Sequence, residues 1–342
     1  MKVDIFNFDL PRDLIAKKSA NPKDSANLLL INGSSLSSKQ IHNLPELFNE
    51  GDLFIVNDTK VIASRVEGKL DNKKIEITFL EEIKNEIWRA LVKPAKKVKS
   101  GDKVILYGKH ILKVIEKRND GEILFDVQLK KQKFINLLNL YGQLPLPPYL
   151  KNNNMEDPYD EYQTIFASKE GAVASPTAGL HFTKELLSAF IKKNILIEKI
   201  TLHIGSGTFL PVKSDNINLH SMHEEVFEIS KNTAKKINSV KKNGGKIIAV
   251  GTTVLRALES SIDKNGDVKA NKGSTNLFIT PKSKIITTDY LLTNFHLPKS
   301  TLFILVCSYA GIKVMKNAYE YAIKNKFKFY SLGDACLIKK DN

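Results

Sequence analysis

Histidines are concentrated in one part of the chain, and their side chains are well suited to proton transfer. Five of the seven lie between residues 181 and 296, namely His181, His203, His220, His223 and His296. An imidazole with an ordinary pKa of about 6.5 can accept and donate a proton near neutral pH. A single histidine is most often structural, whereas five in this span predict that at least one is functional.

The pair His220 and His223 does not predict a metal site. These residues lie three apart, just before the strand-like run Val226–Ile229, and this spacing does not put both imidazoles on one face of a strand. The chain has only two cysteines, Cys307 and Cys336, which are too few for a structural zinc site or a disulfide framework.

Residues 250–254, Val-Gly-Thr-Thr-Val, are typical of a strand that turns through a glycine into a helix. The backbone N–H groups and the hydroxyls of Thr252 and Thr253 would face an anion or a carboxylate at the helix N-terminus. A threonine-capped turn explains the string equally well. Arg256 and Glu259, three residues apart on the predicted helix, could form a surface ion pair or a ligand clamp, and the sequence leaves both open.

The string His203–Phe209 contains two glycines, Gly205 and Gly207, which let the backbone approach a ligand closely. It is not a dinucleotide-binding fingerprint, because the third glycine and the following helix are missing. No Gly-x-Ser-x-Gly elbow occurs in the chain, so a hydrolase triad is not expected either.

The secondary structure elements must position these residues, and the chain contains two kinds of sequence pattern. Short alternating runs with close turns predict antiparallel strands at 74–80, 87–92, 104–107, 111–115 and 122–127, in a small barrel or sandwich. From Gly171 onward the pattern predicts strands at 195–204, 246–250, 285–292 and 327–330, and helices at 231–243, 254–262, 300–311 and 313–325. This alternation indicates an α/β fold with a mostly parallel sheet and flanking helices.

The run Asp52–Val56 is a further predicted strand that could join this sheet. The predicted organisation is therefore a discontinuous α/β catalytic domain, 1–62 and 151–342, which carries an inserted small antiparallel β-barrel domain at 63–150. Open sheets of the α/β kind bind ligands at the ends of their strands, which is where the histidine and glycine strings fall.

The composition excludes several classes of protein. With 42% hydrophobic and 26% charged residues among 342, the chain is neither disordered nor collagen-like. The uncharged, mostly apolar stretch Ser300–Ile312 is shorter than the roughly 20 apolar residues of a membrane span. We expect a soluble, cytoplasmic protein that does not contact membranes.

The chain is strongly basic, with 52 basic against 37 acidic residues and a net charge of +15. Residues 63–150 alone hold 18 basic and 11 acidic residues, so that segment carries +7. Such a surplus attracts polyanions, of which nucleic acid is the commonest inside cells. A generally lysine-rich composition explains the charge equally well, so the charge alone leaves both interpretations open.

Nine strings along the whole chain resemble those of one family. In chain order they are Asn57–Ile62, Pro145–Tyr149, Tyr162–Thr164, Ser175–Phe182, His203–Phe209, Met222–Glu225, Val250–Thr253, Thr293–Leu302 and Gly333–Ala335. They are similar to the S-adenosylmethionine:tRNA ribosyltransferase-isomerases of queuosine biosynthesis. The strings Pro176–Phe182 and Asn294–Thr301 are specific to that family.

The resemblance implies an enzyme that moves the ribosyl group of S-adenosylmethionine onto a tRNA base. The implied acceptor is 7-aminomethyl-7-deazaguanine at the wobble position of GUN anticodons, and the products are epoxyqueuosine-tRNA, adenine and methionine. S-adenosylmethionine is a co-substrate, and no metal or other cofactor is expected because the sulfonium itself withdraws electrons. We further expect a monomer, with tRNA phosphates over the basic insertion. The implied fold, an α/β domain with an inserted barrel, agrees with the two sequence patterns.

The resemblance also yields candidate site residues. For acid–base catalysis they are His181, His203, His223 and His296, with His181 and His296 favoured because each lies in a family-specific string. For substrate binding they are Asp58, Thr177, Gly179, Phe182, Gly205, Gly207, Phe209, Glu225, Thr252, Thr253, Arg256, Glu259, Asn294 and Lys299. The carboxylates could balance the sulfonium or the methionine ammonium. Gly205, Gly207, Thr252 and Thr253 could hold the methionine carboxylate or ribose hydroxyls. Phe182 or Phe209 could stack on adenine.

Two other classes of function remain. An S-adenosylmethionine-dependent RNA methyltransferase uses the same donor, but the chain lacks the glycine-rich loop typical of the first strand of such enzymes. A tRNA-binding protein without catalysis would account for the charge, but it gives no reason for the histidines at the strand ends.

Overall fold

The chain forms two compact units in the computed structural model, which describes residues 1–118, 121–150, 157–205, 214–220 and 222–341. The α/β unit comprises Met1–Thr59, Asn152–Lys169 and Ser175–Asn342, and the barrel unit comprises Lys60–Lys151 and Glu170–Ala174. The last segment groups with the barrel unit, whereas the sequence predicts it in the α/β domain. One contact that ties it there is the hydrogen bond from the Ile62 N–H to the Ala172 carbonyl, at 3.0 Å.

The described residues form seventeen strands and seven α-helices. The strands are β1 Asn27–Asn32, β2 Ser35–Gln40, β3 Leu53–Asn57, β4 Thr59–Val61, β5 Arg65–Leu70, β6 Lys73–Lys84, β7 Ile87–Lys93, β8 Lys103–Leu106, β9 His110–Lys117, β10 Glu122–Asp126, β11 Lys169–Ala172, β12 Leu196–Leu202, β13 Glu225–Ile229, β14 Ile247–Val250, β15 Asn271–Thr275, β16 Tyr290–Asn294 and β17 Ala335–Lys339. The helices are α1 Lys131–Tyr141, α2 Pro158–Tyr162, α3 Lys184–Lys192, α4 Lys231–Lys242, α5 Thr252–Glu259, α6 Thr301–Ala310 and α7 Ile312–Lys324.

Nine strands form the sheet of the α/β unit, in the order β15-β13-β12-β3-β14-β16-β17-β1-β2. The four central strands, β12, β3, β14 and β16, are parallel. Towards the edges antiparallel pairs dominate, for example β1 with β2, whose two-residue turn at Gly33 permits no other arrangement. The predicted α/β fold with an inserted antiparallel barrel is confirmed, while the sheet is mixed rather than mostly parallel.

The central strands are buried on both faces. Every residue of β3 and β14 is buried, and their sequences are the continuous apolar runs typical of covered parallel strands. Helix α6 is also apolar and largely buried. No described helix, α6 included, has both the length and the apolar character needed to cross a membrane.

The strand predicted at 327–330 is wrong. Phe327 and Phe329 pack against the ring of Phe295, and Phe329 makes only an isolated bridge to Ile15. The alternation of Phe327 and Phe329 therefore places their rings in an aromatic cluster and does not reflect a strand of a sheet. The last strand is instead β17, which lies between β16 and β1.

Six strands close the barrel of the other unit, in the order β10-β7-β6-β5-β8-β9, and all neighbouring pairs are antiparallel. Its interior is filled by side chains such as Phe79, Trp88 and Phe125. Helix α1, which the sequence pattern did not predict, adds Phe134 to this core, with its ring 4.8 Å from that of Phe79 and 5.1 Å from that of Trp88. A barrel of this size is a packed core and not a channel.

Candidate active site

The candidate residues gather at one edge of the α/β sheet, where the four central parallel strands end. His203 follows β12, Asp58 follows β3, Gly251 follows β14, and Asn294 is the last residue of β16. In this sheet β3 is followed along the chain by β12, which pairs with one edge of β3. The next strand of the parallel set, β14, pairs with the opposite edge, so the strand order reverses at β3. Open α/β sheets bind ligands at such a reversal, outside the carboxyl ends of the strands. This edge is therefore the candidate active site.

Asp58 is a buried carboxylate held by hydroxyl groups, and it is 7% exposed. Its Oδ1 accepts a hydrogen bond from Thr201 Oγ1 at 2.7 Å, and its Oδ2 accepts one from Ser168 Oγ at 3.2 Å. No basic side chain in the described part of the chain forms an ion pair with it. Buried charges are normally paired, so this site holds a negative charge that a cationic ligand can balance.

His203 is oriented by the end of the neighbouring strand. Its Nδ1 lies 2.8 Å from Thr59 Oγ1, within hydrogen-bond distance. Asn57, the last residue of β3, accepts hydrogen bonds through Oδ1 from the N–H groups of Thr59 (3.1 Å) and Leu202 (3.0 Å). These contacts fix the ends of β3 and β12 against each other.

A hydrogen-bonded chain joins the two family-specific strings. Thr177 Oγ1 donates to Asn294 Oδ1 at 2.9 Å, and Asn294 Nδ2 lies 3.2 Å from His181 Nε2. Because the amide is a donor, Nε2 of His181 is the unprotonated nitrogen. His181 is 5% exposed, and burial lowers its pKa to about 4, opposed in part by a hydrogen bond with the backbone of Lys23. His181 is therefore uncharged at neutral pH.

His296 lies in the same region but makes different contacts. Its Nε2 is 3.1 Å from Thr293 Oγ1, and its backbone N–H donates to Tyr319 Oη at 3.0 Å. Burial lowers the pKa of His296 well below its usual value. Lys299 turns away to the N-terminal segment, where its Nζ lies 2.6 Å from Asp4 Oδ1. An exposed pair of this kind adds little stability, but it shows where the Lys299 side chain is held.

Arg256 does not form a surface pair with Glu259. It is 3% exposed, its Nη1 is paired with Glu225 Oε2, and its Nε donates to the Leu277 carbonyl at 2.9 Å. Glu225 Oε1 accepts the Gly205 N–H at 3.1 Å, so the ion pair also fixes the start of the loop after β12. The Nη2 of Arg256 is buried and has no hydrogen-bond partner among the described residues, so it remains available to a ligand.

Glu259 has a structural role in this arrangement. Its Oε1 accepts the N–H groups of Ile286 (3.0 Å) and Thr287 (2.8 Å), which fixes the segment before β16. The surface-pair interpretation is wrong because α5 is buried along almost its whole length, so Arg256 faces the interior.

Helix α5 begins at the sheet edge with Thr252 and Thr253, each 6% exposed. Its N-cap is Gly251 with φ +97°, in the left-handed region that favours glycine. The N–H groups of a first helical turn have no partner within the helix. They can therefore receive an anionic group, as the sequence predicts.

Five further candidates remain, of which three have different surroundings and two lie outside the described residues. Phe182 is 1% exposed and packs its ring against Phe54, Phe166 and Phe190, so it belongs to the core, and its predicted stacking on adenine is wrong. Gly179 is also buried, and a Cβ there would lie 3.1 Å from the Thr164 side chain. His223 is exposed just before β13, whereas Gly207 and Phe209 lie outside the described residues.

Sequence reasoning missed the polar groups that support the candidates. Asn57, Thr59, Ser168 and Thr201 hold Asp58 and His203, although Asn57 and Thr59 stand in a string that flags Asp58. For Asn57 and Thr59, the signal that could have identified them is the change from apolar to polar residues at the end of β3. In the described ranges, no three His, Cys, Asp or Glu side chains converge as metal ligands would. That the reaction needs no metal stays a prediction.

We expect the protein to lose stability as the pH falls from about 6.5 towards 4. His181 and His296 have a lowered pKa in the folded state, so between these pH values the unfolded chain binds more protons, and the free energy of unfolding falls. For His181 alone the loss is on the order of 3 kcal/mol. Urea unfolding at several pH values measures it.

Carboxylates also titrate in this range, so the comparison is made between variants. His181→Gln should flatten the dependence on pH, whereas His42→Gln, at an exposed histidine, should leave it unchanged. Equal slopes for the wild type and His181→Gln would contradict the assignment of a buried, neutral His181.

Comparisons with known proteins cover the whole chain. The family described as "Queuosine biosynthesis protein" matches residues 3–338. The S-adenosylmethionine:tRNA ribosyltransferase-isomerases of Methylocella silvestris and Zymomonas mobilis are each 44% identical to the chain, over 99% of its length and 98% and 99% of theirs. A crystal structure of S-adenosylmethionine tRNA ribosyltransferase from Thermotoga maritima is 29% identical over 98% of this chain and 99% of that one, with a TM-score of 0.57. The resemblance of the strings is confirmed: this chain belongs to the queuosine biosynthesis protein family.

Proposed function

We propose that this protein is an S-adenosylmethionine:tRNA ribosyltransferase-isomerase. The observation that carries the proposal is the full-length similarity to relatives of that name, together with a sheet edge at which the two family-specific strings meet through Thr177, Asn294 and His181. The enzyme transfers the ribosyl group of S-adenosylmethionine to tRNA and isomerises it.

The finer chemistry follows from the resemblance of the strings. The acceptor is 7-aminomethyl-7-deazaguanine at the wobble position of tRNA with a GUN anticodon, and the products are epoxyqueuosine-tRNA, adenine and methionine. We propose that the protein acts as a monomer and that the barrel unit, with net charge +7 over residues 63–150, supports tRNA binding through phosphates.

A cationic donor suits the buried Asp58. S-adenosylmethionine carries a sulfonium and an ammonium group, and Asp58 is a carboxylate satisfied only by hydroxyls within the described residues. A positive group near it would regain in Coulomb energy what burial of the charge costs. We therefore assign Asp58 to the cationic part of the donor.

The carboxylate of the donor needs the opposite environment, which α5 offers. The first turn of this helix presents free N–H groups, and Arg256, four residues after Thr252, keeps one guanidinium nitrogen without a partner in the described chain. Guanidinium and helix N-termini both bind carboxylates. We assign this group of residues, Thr252, Thr253 and Arg256, to the methionine carboxylate.

Proton transfer is assigned to the histidines. The reaction begins with loss of a proton from the ribose 5′ carbon, which the neighbouring sulfonium acidifies, and it continues with departure of adenine and addition of the acceptor amine. The open-chain ribose then closes to the epoxide as methionine leaves. His181 is held uncharged, which is the form that accepts a proton, and Asn294 orients its Nε2.

The test is a single reaction with S-adenosylmethionine and tRNA that carries the aminomethyl base. We expect free adenine and methionine in equal amounts, and epoxyqueuosine in the tRNA by mass spectrometry of the nucleosides. S-adenosylhomocysteine as the product would identify a methyltransferase instead. An unchanged donor in the presence of bound tRNA would identify a binding protein without catalysis.

A further inference from the structure

The barrel unit has a groove that the catalytic chemistry above does not use. It has a volume of about 480 Å³ and lies between strands β5, β6 and β8 and the C-terminal end of helix α1. We call it the tyrosine groove, and its principal lining residues are Arg65, Lys69, Ile105, Tyr107, Tyr141 and Gln143. A volume of this size is within the range of ligand sites, roughly 300–1,000 Å³.

Two tyrosines give the groove an aromatic wall. The rings of Tyr107 and Tyr141 have centroids 4.6 Å apart and planes inclined by 32°. Tyr141 is 49% exposed, which is unusual for an aromatic side chain with another ring at hand to pack on. Tyr107 lies in the short turn between β8 and β9, and its φ of +53° is a conformation that hairpin turns commonly require.

Two polar atoms of the groove are buried and lack partners. Neither Tyr107 Oη nor Arg65 Nε forms a hydrogen bond in the described part of the chain. The Arg65 side chain is nevertheless fixed, because its Nη2 donates to the Leu146 carbonyl at 2.9 Å. Buried polar atoms are nearly always paired, so these two are candidates to bind a ligand.

The charge of the rim favours an anion. Lys69 lies directly opposite Lys74 in the β5–β6 ladder, an unfavourable arrangement for like charges. Lys74 is balanced by Glu67 at 2.9 Å, whereas Lys69 has no ion pair with a described residue. Glu67 and Glu76 also line the groove, and the charge of Glu76 acts on Arg65, so the net charge of about +1 is centred on Lys69.

We propose that the tyrosine groove binds one unpaired nucleotide of the tRNA, with its base stacked on Tyr141 and its phosphate facing Lys69. Aromatic stacking with adjacent basic groups is how proteins hold single-stranded nucleotides, and the base edge supplies partners for Tyr107 Oη and Arg65 Nε. This proposal rests on the proposed function, because it takes tRNA as the substrate.

The test uses Tyr141→Ala, whose exposed position should leave the fold intact. In titrations of labelled tRNA without S-adenosylmethionine, we expect Tyr141→Ala to weaken binding by about 5- to 100-fold. Tyr141→Phe keeps the ring and should bind within about twofold of the wild type. Tyr159→Ala, at an exposed tyrosine of the α/β unit, is the matched control and should also bind normally. Lys69→Gln should lower the slope of log affinity against log salt by about 1.

Steady-state kinetics separate this proposal from the proposed function. For Tyr141→Ala we expect a higher KM for tRNA, with the KM for S-adenosylmethionine and kcat at saturating tRNA unchanged. Normal tRNA binding by Tyr141→Ala would overturn the proposal, and so would a raised KM for the donor alone, which would mark a donor site. Either result would leave adenine release by the wild type, and with it the proposed function, intact. A wild type that releases no adenine would refute the proposed function instead.

Discussion

Replacing His181 with alanine should lower kcat by about 10²- to 10⁴-fold, the range that general acid–base catalysis contributes. His181 is the histidine joined to both family-specific strings, through Asn294 and Thr177. Its lowered pKa keeps the imidazole uncharged throughout the neutral range. Adenine release under saturating donor and tRNA measures the effect.

Two further variants separate a base from a structural histidine. His181→Gln can keep a hydrogen bond with Asn294 but cannot act as a base, so it should be nearly as inactive as His181→Ala. Asn294→Ala should lose less, because it disturbs only the orientation of the imidazole. His42→Ala, at an exposed histidine, should turn over normally. Wild-type turnover by a folded His181→Ala would remove this residue from the mechanism.

Replacing Arg256 with methionine should lower the free energy of unfolding by about 3–5 kcal/mol. The substitution removes the guanidinium that is paired with the carboxylate of Glu225, a side chain that is 5% exposed, and breaking one partner of a buried ion pair is strongly destabilising. Urea denaturation of the purified variant measures the change. The exposed pair Lys272–Glu228 provides the matched control, and Lys272→Met should change stability by less than about 1 kcal/mol.

The second substitution Glu225→Gln should restore much of the stability lost in Arg256→Met. The amide keeps an acceptor for the Gly205 N–H and removes the buried negative charge. If the double variant were as unstable as Arg256→Met, the loss would arise from packing of the arginine stem instead. A change below 1 kcal/mol in Arg256→Met would contradict a buried, structural ion pair altogether.

The sequence predicted most of the framework because its signals are local. The apolar run of β3 and the alternation of Ile75, Ile77 and Phe79 in β6 need no knowledge of distant residues. The Gly-Thr-Thr turn before α5 is likewise encoded within a few positions. The placement of the candidate residues at strand ends followed from these elements.

The failures concern partners that are distant in sequence. The spacing of three residues on a helix suggests Glu259 as the ion-pair partner of Arg256. The actual partner is Glu225, which lies on strand β13. Phe182 stands in a family-specific string, yet three phenylalanines from elsewhere enclose it. Periodicity describes which face of an element is apolar, and it carries no information on what covers that face.

Strand β17 has a consequence for folding. It lies between β16 and β1, so the hairpin of β1 and β2 is joined to the other strands of this sheet through β17. Strands β1 and β17 are far apart in sequence, and pairing over such a separation must pay the entropy of closing a long loop before it gains any contact. Until β17 is in place, the hairpin exposes an unpaired strand edge, and such edges promote aggregation.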